Sequence, residues 1–246
     1  MSNSGDTRTT TETCGQKGES TVQTSEECAA TNKSVCILRL QIGPVQEFIA
    51  QARSTRDLWS GSFLLSWLMA AGIAELVKRL EASGRSPAEA RAALVFPHLG
   101  STPEDCQPMV ELLLAGGGRD GREPEEYLTP SLPNILVTLV PLQGASAIAK
   151  TVCETIKAEW DKIAKSCWKK LITAELVSAG DEVRFNHQIE HFLSISWQIT
   201  PFDRDYETAS SENARYLDAV RQTRAFAAWS SGGWTTGKFN EKDSLT

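Results

Sequence analysis

Histidine, methionine and tyrosine are scarce, with three of each in 246 residues. No His-Asp dipeptide occurs, because His98, His187 and His191 precede Leu, Gln and Phe, so a metal site built on adjacent His and Asp is excluded. None of the six cysteines (Cys14, Cys28, Cys36, Cys106, Cys153, Cys167) falls in a CxxC or zinc-ribbon spacing. They read as reduced structural thiols of a cytoplasmic protein. Basic charge is also short: 25 Lys and Arg stand against 31 Asp and Glu, giving a net charge of -6. That balance excludes coating nucleic acid through a broad basic field, although a local groove is compatible with it. No uninterrupted apolar run reaches membrane-spanning length, since the richest, Phe63 to Ile73, is broken by Ser66 and followed by Glu75 and Lys78. No signal-peptide pattern is present.

Hydrophobic residues make up 41% of the chain, enough for a buried core. Residues 1–34 are Ser, Thr, Glu, Gly and Gln with almost no large apolar side chains, and read as a disordered leader. The folded part is expected from 35 to 246. Val35 to Ile42 reads as a strand ending at Gly43-Pro44, with Pro44 suited to a first helical position and Val45, Phe48, Ile49 and Ala52 on one helical face. A second helix is predicted from Arg56 to Ala82, bent near Gly61-Ser62 and ended by Gly84. Short strands follow at Ala93–Phe96 and Asn134–Val140, separated by an insertion holding a short helix near Met109–Leu114. Residues 144–178 read as an amphipathic helix, Phe192–Ile199 as a strand and Glu207–Trp229 as a closing helix. The pattern is βαββαβ with extra helices, an α+β, ferredoxin-like order.

Ile42-Gly43-Pro44-Val45-Gln46-Glu47-Phe48-Ile49, then Ala52-Arg53-Ser54-Thr55-Arg56-Asp57-Leu58-Trp59-Ser60-Gly61-Ser62 and Leu64-Leu65-Ser66, form a long specific motif. It closely resembles the amino-terminal palm signature of the large subunit of type III CRISPR effector complexes of the Cmr branch. Phe96-Pro97, Ser131-Leu132-Pro133-Asn134, Phe192 to Trp197 and Arg215 to Phe226 extend the likeness over about residues 36–246. The resemblance implies a first palm domain of a cytoplasmic RNA-guided antiviral complex. In the complete subunit it implies ATP and Mg²⁺ as cofactors, cyclic oligoadenylate synthesis and, in some members, an HD nuclease. It further implies other Cmr subunits, a second palm, and guide and target RNA as partners, and no membrane. Neither a GGDD motif nor an HD pair is present here, and Glu241 to Thr246 resembles a segment that normally continues. The chain therefore reads as truncated at its carboxy end, with no cofactor of its own.

Palm nucleotidyl chemistry needs carboxylates that hold two metal ions. The first strand ends in Leu40-Gln41-Ile42-Gly43 and offers none, so no catalytic or metal-binding residue is assigned. Gly116-Gly117-Gly118-Arg119-Asp120-Gly121 lacks paired acids and apolar flanks and reads as a glycine loop. The nucleotide or interface candidates are Gly43, Pro44, Gln46, Arg53, Arg56, Asp57 and Ser60. Gly43-Pro44 is either a strand-to-helix turn or a helix start facing phosphate. Arg53, Arg56 and Asp57 are either an exposed ion-pair set or contacts to nucleotide, RNA or a neighbouring subunit. Phe48, Trp59 and Trp197 are assigned as structural anchors. His187 and His191 lack a third ligand and read as a surface pair, and the lysines between Lys157 and Lys170 as a solvated helix face with an RNA-facing strip as the alternative. The leading expectation is a non-catalytic scaffold domain that completes an ATP site with a second palm and docks neighbouring subunits. A self-sufficient metal-dependent nucleotidyl cyclase or nuclease is the alternative, and a free-standing partner-binding module a third possibility.

Overall fold

Val35–Gly43 (β2) is buried at seven of its nine positions because both its faces are covered, and it pairs antiparallel with Ile135–Pro141 (β4) on one edge and Ser194–Pro201 (β5) on the other. In the computed structural model, which describes residues 10–13, 35–50, 52–100, 107–116, 127–201 and 205–223, these strands centre a five-stranded antiparallel sheet. Its order is β1-β5-β2-β4-β3, where β1 is Thr10–Thr13 and β3 is Leu94–Phe96. The helices are α1 (Gln46–Ala50), α2 (Thr55–Ala82), α3 (Pro87–Ala92), α4 (Pro108–Leu114), α5 (Ala145–Thr173), α6 (Glu182–Phe192) and α7 (Tyr206–Thr223). The fold is α+β.

The register decides which side chains meet. Leu38, Leu40 and Ile42 face the same way as their partners Ile199, Trp197 and Ile195, and α2 and α5 bury that surface. Trp197 is 1% exposed in this core. The opposite face presents Arg39, Gln41, Ser196, Gln198 and Thr200, and α7 covers it with Ala209, Asn213 and Leu217. Asn213 donates from Nδ2 to the carbonyls of Ile37 and Gln198, both at 3.2 Å, and to Thr200 Oγ1 at 3.1 Å. A polar strand face thus meets a polar helix residue, which satisfies these strand acceptors but leaves Asn213 Oδ1 and Arg39 Nε without a partner among the described residues. Cys36, whose Sγ contacts the Val140 carbonyl at 3.5 Å, has its thiol pKa pushed up to about 12 by burial, so it stays protonated and unreactive at neutral pH.

Several details correct the sequence reading. Thr10–Thr13 lies within the leader expected to be disordered, yet pairs with Ser196–Ile199. An edge strand needs only backbone hydrogen bonds and β-branched residues, both of which this segment has without any apolar face. The rest of the leader lies outside the described residues. Pro44 does not start a helix; its bond to Gly43 is cis and α1 begins at Gln46. α2 runs through Gly61-Ser62 without a break. Phe48 lies where a Gly61 side chain would project, 3.3 Å from the Cβ position, so this glycine makes room for a ring rather than a bend. α2 is also long and apolar enough to cross a membrane by length and composition, but 67% of its most apolar window is buried inside the protein, as in a core helix. The helix expected over 144–178 stops at Thr173, where Glu175 adopts φ 56° and the chain turns back. The residues before β5, read as a surface lead-in, form α6.

α3 and α4 meet through one buried ion pair. Arg91 holds Glu111 through Nη2–Oε1 at 2.9 Å, Nη2–Oε2 at 3.2 Å and Nε–Oε1 at 3.2 Å, with the two side chains only 9% and 10% exposed. Removing one partner strands a charge in a low-dielectric setting. Glu111→Ala is expected to cost about 3–5 kcal/mol in urea unfolding, whereas the double change Arg91→Met with Glu111→Leu falls well below that. Equal losses in both variants would show that packing volume, not charge compensation, holds this corner.

Candidate interface site at the end of the sheet

One end of the sheet gathers the outgoing end of β2 and the incoming ends of β4 and β5, since Gln41 lies opposite Ile135 and Gly43 opposite Ser194. The segment Ser131-Leu132-Pro133-Asn134 is tied to this end from two sides. Asn134 accepts from the Ile42 N–H at 2.9 Å through its carbonyl and donates from Nδ2 to the Ile42 carbonyl at 3.0 Å. Ser66, buried within α2, donates its hydroxyl to the Leu132 carbonyl at 3.0 Å. Two stretches of the sequence motif about ninety residues apart therefore form one clamp around the end of β2. Neither Ser66 nor Asn134 was assigned a role from sequence; the available signal was a serine on the apolar face of α2.

The chain leaves this clamp through buried Gly43 and half-buried Pro44 and enters α1, where Gln46 is exposed. Phe48 packs edge-on against Phe192 at 4.9 Å, and Phe192 stacks on Trp160 at 5.2 Å. These rings pin α1 to α6 and α5. α1 has five residues and begins at Gln46, two residues beyond Pro44.

The start of α2 is organised by its own cap. Ser54 Oγ accepts from the Asp57 N–H at 3.2 Å, and Asp57 Oδ2 accepts from the Arg53 N–H at 3.2 Å while the Arg53 guanidinium lies 4.0 Å away. Asp57 is a capping carboxylate that satisfies backbone donors. Arg53, Arg56 and Ser60 are exposed, with the Arg53 side chain at 70%. Trp59 contradicts its assignment as a core anchor: it is 44% exposed and stacks at 5.4 Å on Phe63, which stacks at 6.3 Å on Trp67. The apolar face of α2 that faces the sheet starts at Leu65, so Trp59 projects beyond the layer it was expected to join. Trp67 fixes the inner end of this ladder by donating from Nε1 to Glu159 at 3.0 Å.

Among the described residues no group of three or more His, Cys, Asp or Glu is placed to hold a metal ion. His187 and His191 stack with ring centroids 4.3 Å apart, and His191 Nδ1 lies 2.8 Å from the His187 carbonyl, an arrangement directed at the helix backbone. Asp120 and most of its glycine loop lie outside the described residues, as does the end of the closing helix beyond Thr223.

The family model described as CRISPR-associated protein Cmr2, N-terminal, matches residues 37–165, more than half of the sequence and all of the clamp except Ser194. The chain belongs to this Cmr2 N-terminal family. It is also 26% identical over 159 residues to the CRISPR system Cmr subunit Cmr2 of Pyrococcus furiosus. That match covers 58% of this chain and 17% of the relative, so the chain spans about a sixth of the relative's length. Residues 42–50, 52–66 and 131–134 fall within the matched range and lie at the β2 end of the sheet and along the first turns of α2.

The exposures separate the two halves of this motif. Trp59→Ala is expected to lower folding stability by about 1 kcal/mol or less, far under the roughly 3–5 kcal/mol typical of a buried aromatic and expected for Trp197→Ala. Thermal melts of the two variants check it. A Trp59→Ala loss matching that of Trp197→Ala would mean that Trp59 is core after all.

Proposed function

We propose that this chain is the first palm domain of a type III CRISPR effector large subunit, acting in the cytoplasm as a non-catalytic scaffold. In this reading it completes an ATP and Mg²⁺ site together with a second palm and docks neighbouring Cmr subunits, through which it reaches guide and target RNA. The supporting observation is the clamp: the residues that carry the family motif converge on one end of the sheet, with Arg53 and Arg56 exposed on the turns that follow. The strand order β5-β2-β4-β3 agrees with a split βαβ, palm-like arrangement. The end of β2 carries Gln41, Ile42 and Gly43, none of which can ligate a metal as a carboxylate does, which supports a supporting rather than a catalytic part in nucleotidyl transfer.

The roles proposed for Gly43, Pro44, Gln46, Arg53, Arg56, Asp57 and Ser60 then divide. Gly43, Pro44 and Asp57 shape the backbone at the sheet end. Gln46, Arg53, Arg56 and Ser60 supply exposed polar groups that a nucleotide phosphate, RNA or a partner subunit can engage.

Co-expression with the other subunits of a Cmr complex and guide RNA tests this reading. The chain is expected to co-purify with them and, alone with ATP and Mg²⁺, to form no cyclic oligoadenylate. Replacing both Arg53 and Arg56 with Ala should leave the melting temperature nearly unchanged, because exposed ion pairs contribute only about 0–1 kcal/mol. Association should weaken by about 2 kcal/mol, roughly thirtyfold, as for arginines desolvated in an interface. Metal-dependent product from the purified chain alone would replace the scaffold reading with the cyclase alternative.

A further inference from the structure

Among the described residues, half of the exposed large hydrophobic side chains fall at one end of the helical layer. α2 and α5 run antiparallel: Gly72 lies under Val152 and Ile156, and Trp67 bonds Glu159, so moving toward the start of α2 means moving toward the end of α5. From that level α2 continues about 18 Å to Thr55 and α5 about 21 Å to Thr173, so the two ends lie nearly level. Trp168 packs tilted against Phe185, ring centroids 5.0 Å apart, and holds the first turn of α6 against the last turns of α5. Leu58 (41% exposed) and Trp59 (44%) on α2 thus share an end with Ile172 (38%), Leu176 (71%) and Val183 (81%). Five exposed apolar side chains at the same end of a domain favour a contact surface over a scatter of single exposed hydrophobics.

The charge around it is inverted relative to the chain. Arg53, Arg56, Lys165, Lys169, Lys170 and Arg184 are six cations on these turns, against the four acids Asp57, Glu175, Asp181 and Glu182. Two of these cations already face acids of the set, Arg53 beside Asp57 at 4.0 Å and Arg184 near Asp181, and the group as a whole keeps an excess of two positive charges. Asp57 caps α2, and Asp181 accepts from the Ser178 N–H and hydroxyl at 2.9 and 2.7 Å, which holds its pKa below the usual value.

Resting on the scaffold reading above, we infer that the end formed by Leu58, Trp59, Ile172, Leu176 and Val183 is the surface by which this domain docks a partner polypeptide with an apolar centre and an acidic rim. A polypeptide is favoured over a nucleic acid because four of the five exposed side chains are aliphatic and offer no π-face to a base, while tryptophan and arginine together are typical of protein-interface centres. The acidic rim follows from the cation excess by charge complementarity.

The test uses the intact chain co-expressed with the other Cmr subunits and guide RNA. Leu176→Asp with Val183→Asp changes two of the most exposed sites, so its melting temperature is expected to match that of the wild type. The prediction is at least a tenfold loss of co-purified subunits, a further loss in both proteins as salt rises from 0.1 to 1 M, and protection of the 172–183 segment from hydroxyl-radical labelling in the wild-type complex. Three outcomes overturn the inference while leaving the scaffold reading in place. One is full assembly of the double variant with this segment still labelled. Another is assembly in which the segment is protected only when RNA is bound. A third is loss of assembly by Lys169→Glu with Lys170→Glu alone, together with retention by the aspartate variant. A wild-type chain that captures no Cmr subunit under any condition overturns both.

Discussion

The pairing of Val35–Gly43 on both of its edges is the constraint from which the other features follow. A strand hydrogen-bonded on two sides and covered on two faces has no freedom of register, because a slip of one residue would exchange Leu38, Leu40 and Ile42 for Arg39 and Gln41 in the principal core. With that register set, the end of the strand arrives at Gly43 beside Ser194, and Ile42 meets Asn134. Ser66 then ties α2 to the same loop. The placement of the family motif is in this sense a consequence of sheet pairing, and it does not depend on how α1 is formed.

The two faces of the sheet are built differently. The face under α2 and α5 is aliphatic and aromatic, and its cost of disruption is that of core packing. The face under α7 is half polar and relies on Asn213 reaching two strand carbonyls and a threonine hydroxyl. Since hydrogen bonds contribute less net stability than apolar burial of similar extent, α7 is the more weakly held layer. The exposed surface of the helical layer, by contrast, gathers apolar and cationic groups at one end.

The central strands, the two long helices and their order were legible in the sequence because their apolar periods are long and end at Gly, Pro or a capping serine. α6 was missed although Phe185, Ile189 and Phe192 recur at helical spacing, because Gly180 and the chain reversal at Glu175 hid where one helix ended and the next began. β1 carries no hydrophobic signal at all and is defined only by backbone pairing. Arg53, Arg56 and Asp57 were named as candidates through the resemblance alone, whereas Trp59 was misplaced. Its position next to an apolar helix does not reveal that the sheet-facing stripe begins six residues later, at Leu65. Ser66 showed only as a serine on an apolar helix face, and its bond to Leu132, like those of Asn134 to Ile42, depends on contacts between segments far apart in sequence.

Native-state hydrogen exchange across a denaturant series measures the central claim directly. If β2 sets the fold, the amides of Ile37 to Ile42 exchange only through global unfolding, with an opening free energy equal to that from urea denaturation, while amides in β1 and α7 open at lower free energies. Exchange of Ile37 to Ile42 through a local opening less costly than that of α7 would contradict the account, because the clamp at Gly43 would then not be held by the sheet.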